Sequence, residues 1–149
     1  MDASKLAPIG KEFLAVVQAR WPEFLKYAAV DDSGSLVVEY PSPSRPDDAQ
    51  LWISADADFD EVIIGFGGSH SHGGPWNQPD SADFGFNSSV EFIDNILNET
   101  VVGYTLQSGE LGIGLLDYIK AAPYWKDVQS IRSWQGTHDG CMVNFGVRG

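Results

Sequence analysis

Short runs in which aliphatic and polar residues alternate, separated by turn-forming residues, set the strongest limit on how this chain can fold. From Gln50 to Ala55, the aliphatic residues occupy every second position, which is typical of a strand with one buried face. The other segments with a β-type pattern are 36–40, 62–67, 100–106, 111–116, 128–134 and 141–147. Connections of hairpin length join several of these segments, so the pattern predicts mainly antiparallel pairing.

A first helix is predicted near the amino terminus. Pro8 suits the first turn of a helix, and apolar residues then follow at helical spacing. The helix should end near Arg20, because Pro22 disfavours helical geometry at Trp21.

A second helix is predicted over 88–98, where Ser88 and Glu91 form a capping box. A short helix over 115–121 is an alternative to continuing the strand 111–116. The 149 residues fit a single domain, 1–149. We therefore expect an α+β fold, with a largely antiparallel β-sheet of about six or seven strands packed against two helices.

The charge of the chain limits its partners. Twenty-one acidic and nine basic residues give a formal net charge of −12, which repels nucleic acids and anionic membranes and attracts a basic partner. The single cysteine excludes an internal disulfide, and the first residues lack a signal-peptide pattern. No apolar run approaches the roughly 20 residues that cross a bilayer. We expect a cytoplasmic protein with no membrane and no nucleic-acid partner.

The stretch Val62–Trp76 combines an apolar run with two histidines. We interpret 62–66 as a core strand and Gly67-Gly68 as the point where the chain leaves the sheet or bulges. The residues that follow, 70–76, are then expected to form an exposed loop. On this interpretation, His70 and His72 belong to one edge of a binding face.

A zinc site is the alternative interpretation of the histidines. Two residues at alternate positions of an extended strand point the same way, and His138 and Cys141 have an acceptable spacing for a second ligand pair. The metal ligands would then be His70, His72, His138 and Cys141. Cys141, however, alternates in phase with apolar residues, which favours a place in the core. We favour hydrogen-bonding or interface histidines, with no metal and no other cofactor.

The pattern does not favour catalysis. Ser69 and Ser71 adjoin the histidines, but neighbouring residues of a strand point to opposite faces. The stretch also lacks the Gly-x-Ser-x-Gly turn of serine hydrolases. We expect no catalytic residues.

An acidic segment, 56–61, separates two predicted strands. Asp56, Asp58 and Asp60 have the spacing of the first ligands of a calcium loop, but Glu61 stands where that loop needs glycine. We interpret the segment as a solvated hairpin turn. Its carboxylates are candidates for contact with a basic partner.

The order of motifs in the last two thirds of the chain, from about Leu51, resembles a known class of protein. These motifs are Phe-Gly-x-x-His-x-His at 66–72, the capped helix 88–98, the strand 100–106, Gly-Ile-Gly-Leu-Leu-Asp at 112–117 and Ser-Ile-Arg-Ser-Trp-Gln-Gly-Thr-His-Asp at 130–139. They are similar to the immunity proteins of bacterial polymorphic toxin systems, including those paired with Rhs and type VI secretion effectors.

The resemblance implies a protein without enzymatic activity that binds a cognate toxin and blocks its active site or substrate access. Trp76, in the long polar connection after the histidines, is the best aromatic anchor for such a contact. The full set of candidate toxin-binding residues is His70, His72, Trp76, Asp80, Asp83, Asp56, Asp58, Asp60 and Glu61. A zinc-binding module or metal-dependent enzyme centred on His70, His72 and His138 remains the alternative.

Overall fold

A computed structural model describes residues 1–44, 50–72 and 89–141 of the chain. The helices in this part are α1 Pro8–Arg20, α2 Ser89–Leu97 and α3 Leu116–Ala121, with 3-10 turns at Ala3–Lys5, Pro22–Tyr27 and Pro123–Asp127. The strands are β1 Ala28–Val30, β2 Leu36–Pro41, β3 Gln50–Asp56, β4 Glu61–Phe66, β5 Ser69–His72, β6 Val101–Leu106, β7 Leu111–Leu115, β8 Val128–Arg132 and β9 Gly140–Cys141.

The strands form two antiparallel sheets, and the predicted α+β class is confirmed. The first sheet has the order β1-β2-β3-β4-β5, and the second has the order β7-β6-β8-β9. We expected one sheet, but α2 lies between β5 and β6 in the chain, and the later strands pair among themselves. In the first sheet each strand pairs with the next strand of the chain. In the second sheet β6 and β7 form a hairpin, and the chain then passes through α3 and the Pro123–Asp127 turn before β8 pairs with the other side of β6.

Local signals set the bounds of the first helix. α1 begins at Pro8 and ends at Arg20, as predicted. At its carboxyl end, Arg20 forms an ion pair with Asp94 of α2, and Trp21 Nε1 donates a hydrogen bond of 3.0 Å to the same carboxylate. These two contacts join the carboxyl end of α1 to α2.

The second helix, α2, lies within the predicted range 88–98, although Ser88 of the capping box lies outside the described residues. The alternative of a short helix over 115–121 is confirmed by α3.

The main core lies between the inner face of the first sheet and the helices α1 and α2. The predicted inner face of β3 is confirmed, since Leu51, Ile53 and Ala55 are fully buried, but Ser54 on the opposite face is buried as well. The other large side chains that are fully buried in this core are Phe13, Val17, Phe24, Leu36, Ile64, Phe66, Phe92, Ile93 and Ile96. A smaller core joins α3 to the second sheet, on the face that points away from the main core. It is formed by Val102, Leu116, Ile119, Val128 and Ile131.

The two sheets meet at a pair of glycines. A Cβ atom on Gly103 of β6 would lie 3.2 Å from Cα of Gly67, and a Cβ atom on Gly67 would lie 3.2 Å from Cα of Gly103. Close by, the ring of Trp134 stacks on the ring of Tyr40, with 5.5 Å between the ring centroids. Its centroid is 6.0 Å from that of Phe66. Main-chain contact and aromatic packing together fix the first sheet against the second.

We expect Gly103→Ala to lower the free energy of unfolding by about 1–3 kcal/mol, because the added methyl group would press on the main chain of Gly67. Gly114→Ala is the matched control, since its nearest neighbour would be the end of the Ile119 side chain at 3.9 Å. Urea unfolding of both variants measures the difference. Equal stability of the two variants would show that the sheets do not depend on this contact.

Candidate functional site

Two acidic turns lie together at one end of the first sheet. The register pairs Leu36 with Ala55, which places the turn 31–34 beside the turn 57–60. The amide of Ala57 donates a hydrogen bond of 2.8 Å to Ser35 Oγ and ties the turns together. We call the residues 31–34 and 56–61 the acidic end.

Each acidic turn is held by one of its own aspartates. Asp56 Oδ1 accepts hydrogen bonds of 2.9 Å from the amides of Asp58 and Phe59. Asp31 Oδ1 likewise accepts from Ser33 at 2.9 Å and from Ser35 at 2.8 Å. Because these bonds fix the backbone, the remaining side chains of the turns have set positions.

The acidic end presents an aromatic ring among carboxylates. Phe59 is 71% exposed at the tip of its turn, between the exposed side chains of Asp58 and Asp60. The segments 31–34 and 56–61 contain six carboxylates and no lysine or arginine. Such a surface suits a basic partner that offers an apolar pocket. The hairpin turn predicted over 56–61 is confirmed.

His70 and His72 do not lie in a loop, and this prediction is wrong. Gly67 and Gly68, with φ of 64° and 87°, form a two-residue turn, which is the geometry that joins adjacent antiparallel strands. The chain therefore turns back at once, and Ser69–His72 pairs with β4 as the strand β5. His70 is exposed on this strand.

His70 lies between two clefts. Trp52, Gly65 and His70 occupy paired positions across β3, β4 and β5, and they border an open cleft of about 470 Å³ together with Gln50. On its other side, His70 borders a cleft of about 370 Å³ along β7. We call the second one the β7 cleft.

Tyrosines form much of the β7 cleft. Tyr104 lies directly over Gly112, where a Cβ atom would come within 2.1 Å of the ring, and stacks on Tyr124 at 5.6 Å. Burial, the hydrogen bond with Tyr124 and the nearby charge of Glu110 raise the pKa of Tyr104 to about 12. Tyr118 of α3 is 69% exposed at the cleft.

Of the four predicted zinc ligands, the structure describes the side chains of His70 and His138, and these two lie at different clefts. His138 lies in the turn after β8, where its amide donates a hydrogen bond of 2.9 Å to Ser133 Oγ. It borders clefts with Leu116 and Lys120, and none of the clefts described contains both His138 and His70. Within residues 1–44, 50–72 and 89–141, no three His, Cys, Asp or Glu side chains are grouped for a metal ion.

Polar contacts fix the turn that carries His138. Glu99 Oε1 accepts hydrogen bonds from the amides of Gln135 at 2.7 Å and Thr137 at 3.2 Å. Burial raises the pKa of Glu99, but hydrogen bonds from Thr137 and Gln135 outweigh burial and leave it below its ordinary value. Asp139 Oδ1 accepts a hydrogen bond of 2.7 Å from the amide of Ser133, so its carboxylate helps to stabilise the turn.

The other predicted partner-binding residues do not form one site with His70. The four acidic residues lie together at the acidic end, and His70 lies elsewhere, on β5. These acidic residues are Asp56, Asp58, Asp60 and Glu61. Trp76, Asp80 and Asp83 lie outside the described residues.

The exposed apolar side chains Phe59, Leu111, Tyr118 and Tyr124 are not among the residues predicted to bind a partner. The exposure of Phe59 could be predicted from the sequence, because Phe59 is the single large apolar residue of an acidic turn.

No family model, no curated protein and no solved structure matches this chain. In the part of the chain that the structure describes, no helix has the length and apolar character needed to cross a membrane.

We expect stability to fall as the pH rises from about 10 to about 12. Tyr104 has a raised pKa of about 12 in the folded protein against about 10 in the unfolded chain. In this window the unfolded chain loses the proton that the folded protein retains, so unfolding is favoured; below it, Tyr104 contributes its full stability. Urea unfolding should show a shallower fall for Tyr104→Phe, with Tyr118→Phe as the control. An unchanged slope in Tyr104→Phe would contradict this assignment.

Proposed function

We propose that this protein is a cytosolic immunity protein that binds a cognate secreted toxin and blocks its active site or substrate access, without catalysing a reaction. The observation that carries the proposal is the acidic end, where exposed Phe59 stands among carboxylates on turns fixed by their own hydrogen bonds. The resemblance of the later motifs to immunity proteins of polymorphic toxin systems supports the same function.

The charge of the chain fits a basic partner. Toxins that act on nucleic acids or nucleotides need basic clefts to hold their substrates, and a net charge of −12 attracts such clefts over several ångströms. Carboxylates at the acidic end would occupy the positions that substrate phosphates take in the toxin. The electrostatic contribution is to association and orientation more than to final affinity.

Phe59 supplies the apolar part of the contact. An aromatic side chain that enters a pocket and is ringed by polar contacts is the usual arrangement of an interface hot spot. The turn around it is already fixed by Asp56, so binding does not have to order the backbone. A preorganised anchor of this kind loses less entropy on association.

The toxin domain encoded beside this gene is the partner with which to test the proposal. We expect Asp58→Lys to slow its association by about tenfold at low salt. Glu23→Lys is the matched control, because it makes the same change of charge near Tyr40, which is at the other end of β2. Surface plasmon resonance at several salt concentrations measures both rates. Equal slowing by the two variants would mean that only net charge matters.

Phe59→Ala should weaken the same complex by about 30-fold, mainly through faster dissociation, if Phe59 is a hot spot of about 2 kcal/mol. Phe59 is exposed, so the substitution should leave the free energy of unfolding nearly unchanged. Leu25→Ala, at another exposed apolar residue, is the control. An unaffected dissociation rate in Phe59→Ala would place the toxin contact elsewhere.

A further inference from the structure

The strand β7 is an edge of the second sheet. Its one hydrogen-bonded strand neighbour in the described part of the chain is β6, although β5 also packs against it. The amide of Leu106 donates to Glu110 O at 2.8 Å, and the amide of Leu116 donates to Thr100 O at 3.0 Å. Hydrogen-bonded pairs alternate along an antiparallel ladder, so Gly112 and Gly114 also bond towards β6.

The same alternation turns the other backbone groups of β7 outward. Leu111, Ile113 and Leu115 pair with β6 at the non-hydrogen-bonded positions, so their N–H and C=O groups point away from it. These three residues border the β7 cleft. The cleft therefore offers backbone donors at all three residues and backbone acceptors at Leu111 and Ile113.

The lining of the β7 cleft contains no Asp, Glu, Lys or Arg. Charged residues make up 20% of the chain, but this lining has none of them. A charged ligand would therefore find no Asp, Glu, Lys or Arg partner inside the cleft. The cleft suits a neutral group with many hydrogen bonds, and a polypeptide backbone is such a group.

Exposed apolar side chains gather at this cleft. Leu111 is 50% exposed, Tyr118 is 69% exposed and Tyr124 is 36% exposed. They are three of the seven large hydrophobic residues that are exposed in the described part of the chain. Concentration of apolar surface in one place is typical of an interaction site.

We propose that an extended, uncharged segment of a partner protein binds in the β7 cleft as an added strand, antiparallel or parallel to β7. Its backbone bonds the outward N–H and C=O groups of Leu111 and Ile113 and the outward N–H of Leu115, whose C=O begins the hydrogen bonding of α3. Its alternate side chains contact Tyr118 on one face and His70 on the other. Exposed Glu110 and Asp117 stand just beyond the two ends of β7 and favour basic residues on either side of the bound segment. This site uses no residue of the acidic end and does not depend on the proposed function.

A library of end-blocked heptapeptides tests the proposal. Each has Lys at both ends and five central residues drawn from Val, Ile, Thr, Tyr, Ser and Pro. We expect selected binders to be rich in Val, Ile and Thr and to lack Pro, which cannot donate a strand hydrogen bond. A library without binders, or one whose binders are rich in proline, would overturn the proposal.

Two substitutions at Leu111 separate backbone from side chain. Leu111→Pro removes an outward N–H and no bond to β6, and it should weaken peptide binding by about tenfold. Leu111→Ala keeps the N–H and should weaken binding by less than about threefold, since the side chain is already half exposed. Equal loss in both variants, measured by fluorescence anisotropy, would overturn the proposal.

Amide hydrogen exchange on the unmodified protein gives an answer even if Leu111→Pro does not fold. A selected peptide should slow exchange at Leu111, Ile113 and Leu115, whose amides point outward. It should leave Gly112 and Gly114 unchanged, because their amides already bond to β6. Uniform slowing along β7, or no change at the three outward amides, would show that the peptide does not bind as a strand.

Discussion

The main-chain contact between Gly67 and Gly103 determines how the two sheets are placed. A Cβ atom on either residue would lie only 3.2 Å from the Cα atom of the other, so a side chain here would require the two main chains to shift by a few tenths of an ångström. Gly67 also begins the turn that leads into β5, so the residue that makes the contact also sets the position of His70. The β7 cleft exists because this contact brings the β4–β5 hairpin next to the second sheet.

The two candidate surfaces differ in their physical character. At the acidic end, Asp31 and Asp56 use their carboxylates to hold the turns, and the neighbouring aspartates are left for solvent or a partner. In the β7 cleft the polar groups are tyrosine hydroxyls, a histidine and strand backbone. Charge controls encounter at the first surface, whereas directional hydrogen bonds and ring contacts control fit at the second.

Much of the fold was predictable because its signals are local. Pro8 and Pro22 bound α1, and the alternation in β3 gives its buried face, since both depend on neighbouring residues. The prediction that the chain leaves the sheet or bulges at Gly67-Gly68 was wrong, because two glycines also permit a tight turn. Only the pairing of Ser69–His72 with β4 decides among them, and this pairing is not local information.

The division into two sheets and the clefts also depend on contacts between distant residues. Nothing near Gly103 in the sequence indicates Gly67 as its neighbour, and Gly112 does not reveal the ring of Tyr104 above it. The exposure of Tyr118 and Tyr124 follows from where α3 and the Pro123–Asp127 turn pack on the second sheet. The acidic turn over 56–61 could be predicted from the sequence. Its position beside 31–34 could not, because that position depends on the register between β2 and β3.

The edge of β7, which has no added strand among residues 1–44, 50–72 and 89–141, has a consequence for the behaviour of the protein in concentrated solution. Strand edges of separate molecules can pair with one another, which leads to aggregation unless something opposes their approach. Here the net charge of −12 makes every copy repel every other at long range. The acidity of the chain therefore opposes the pairing of this glycine-rich edge between copies.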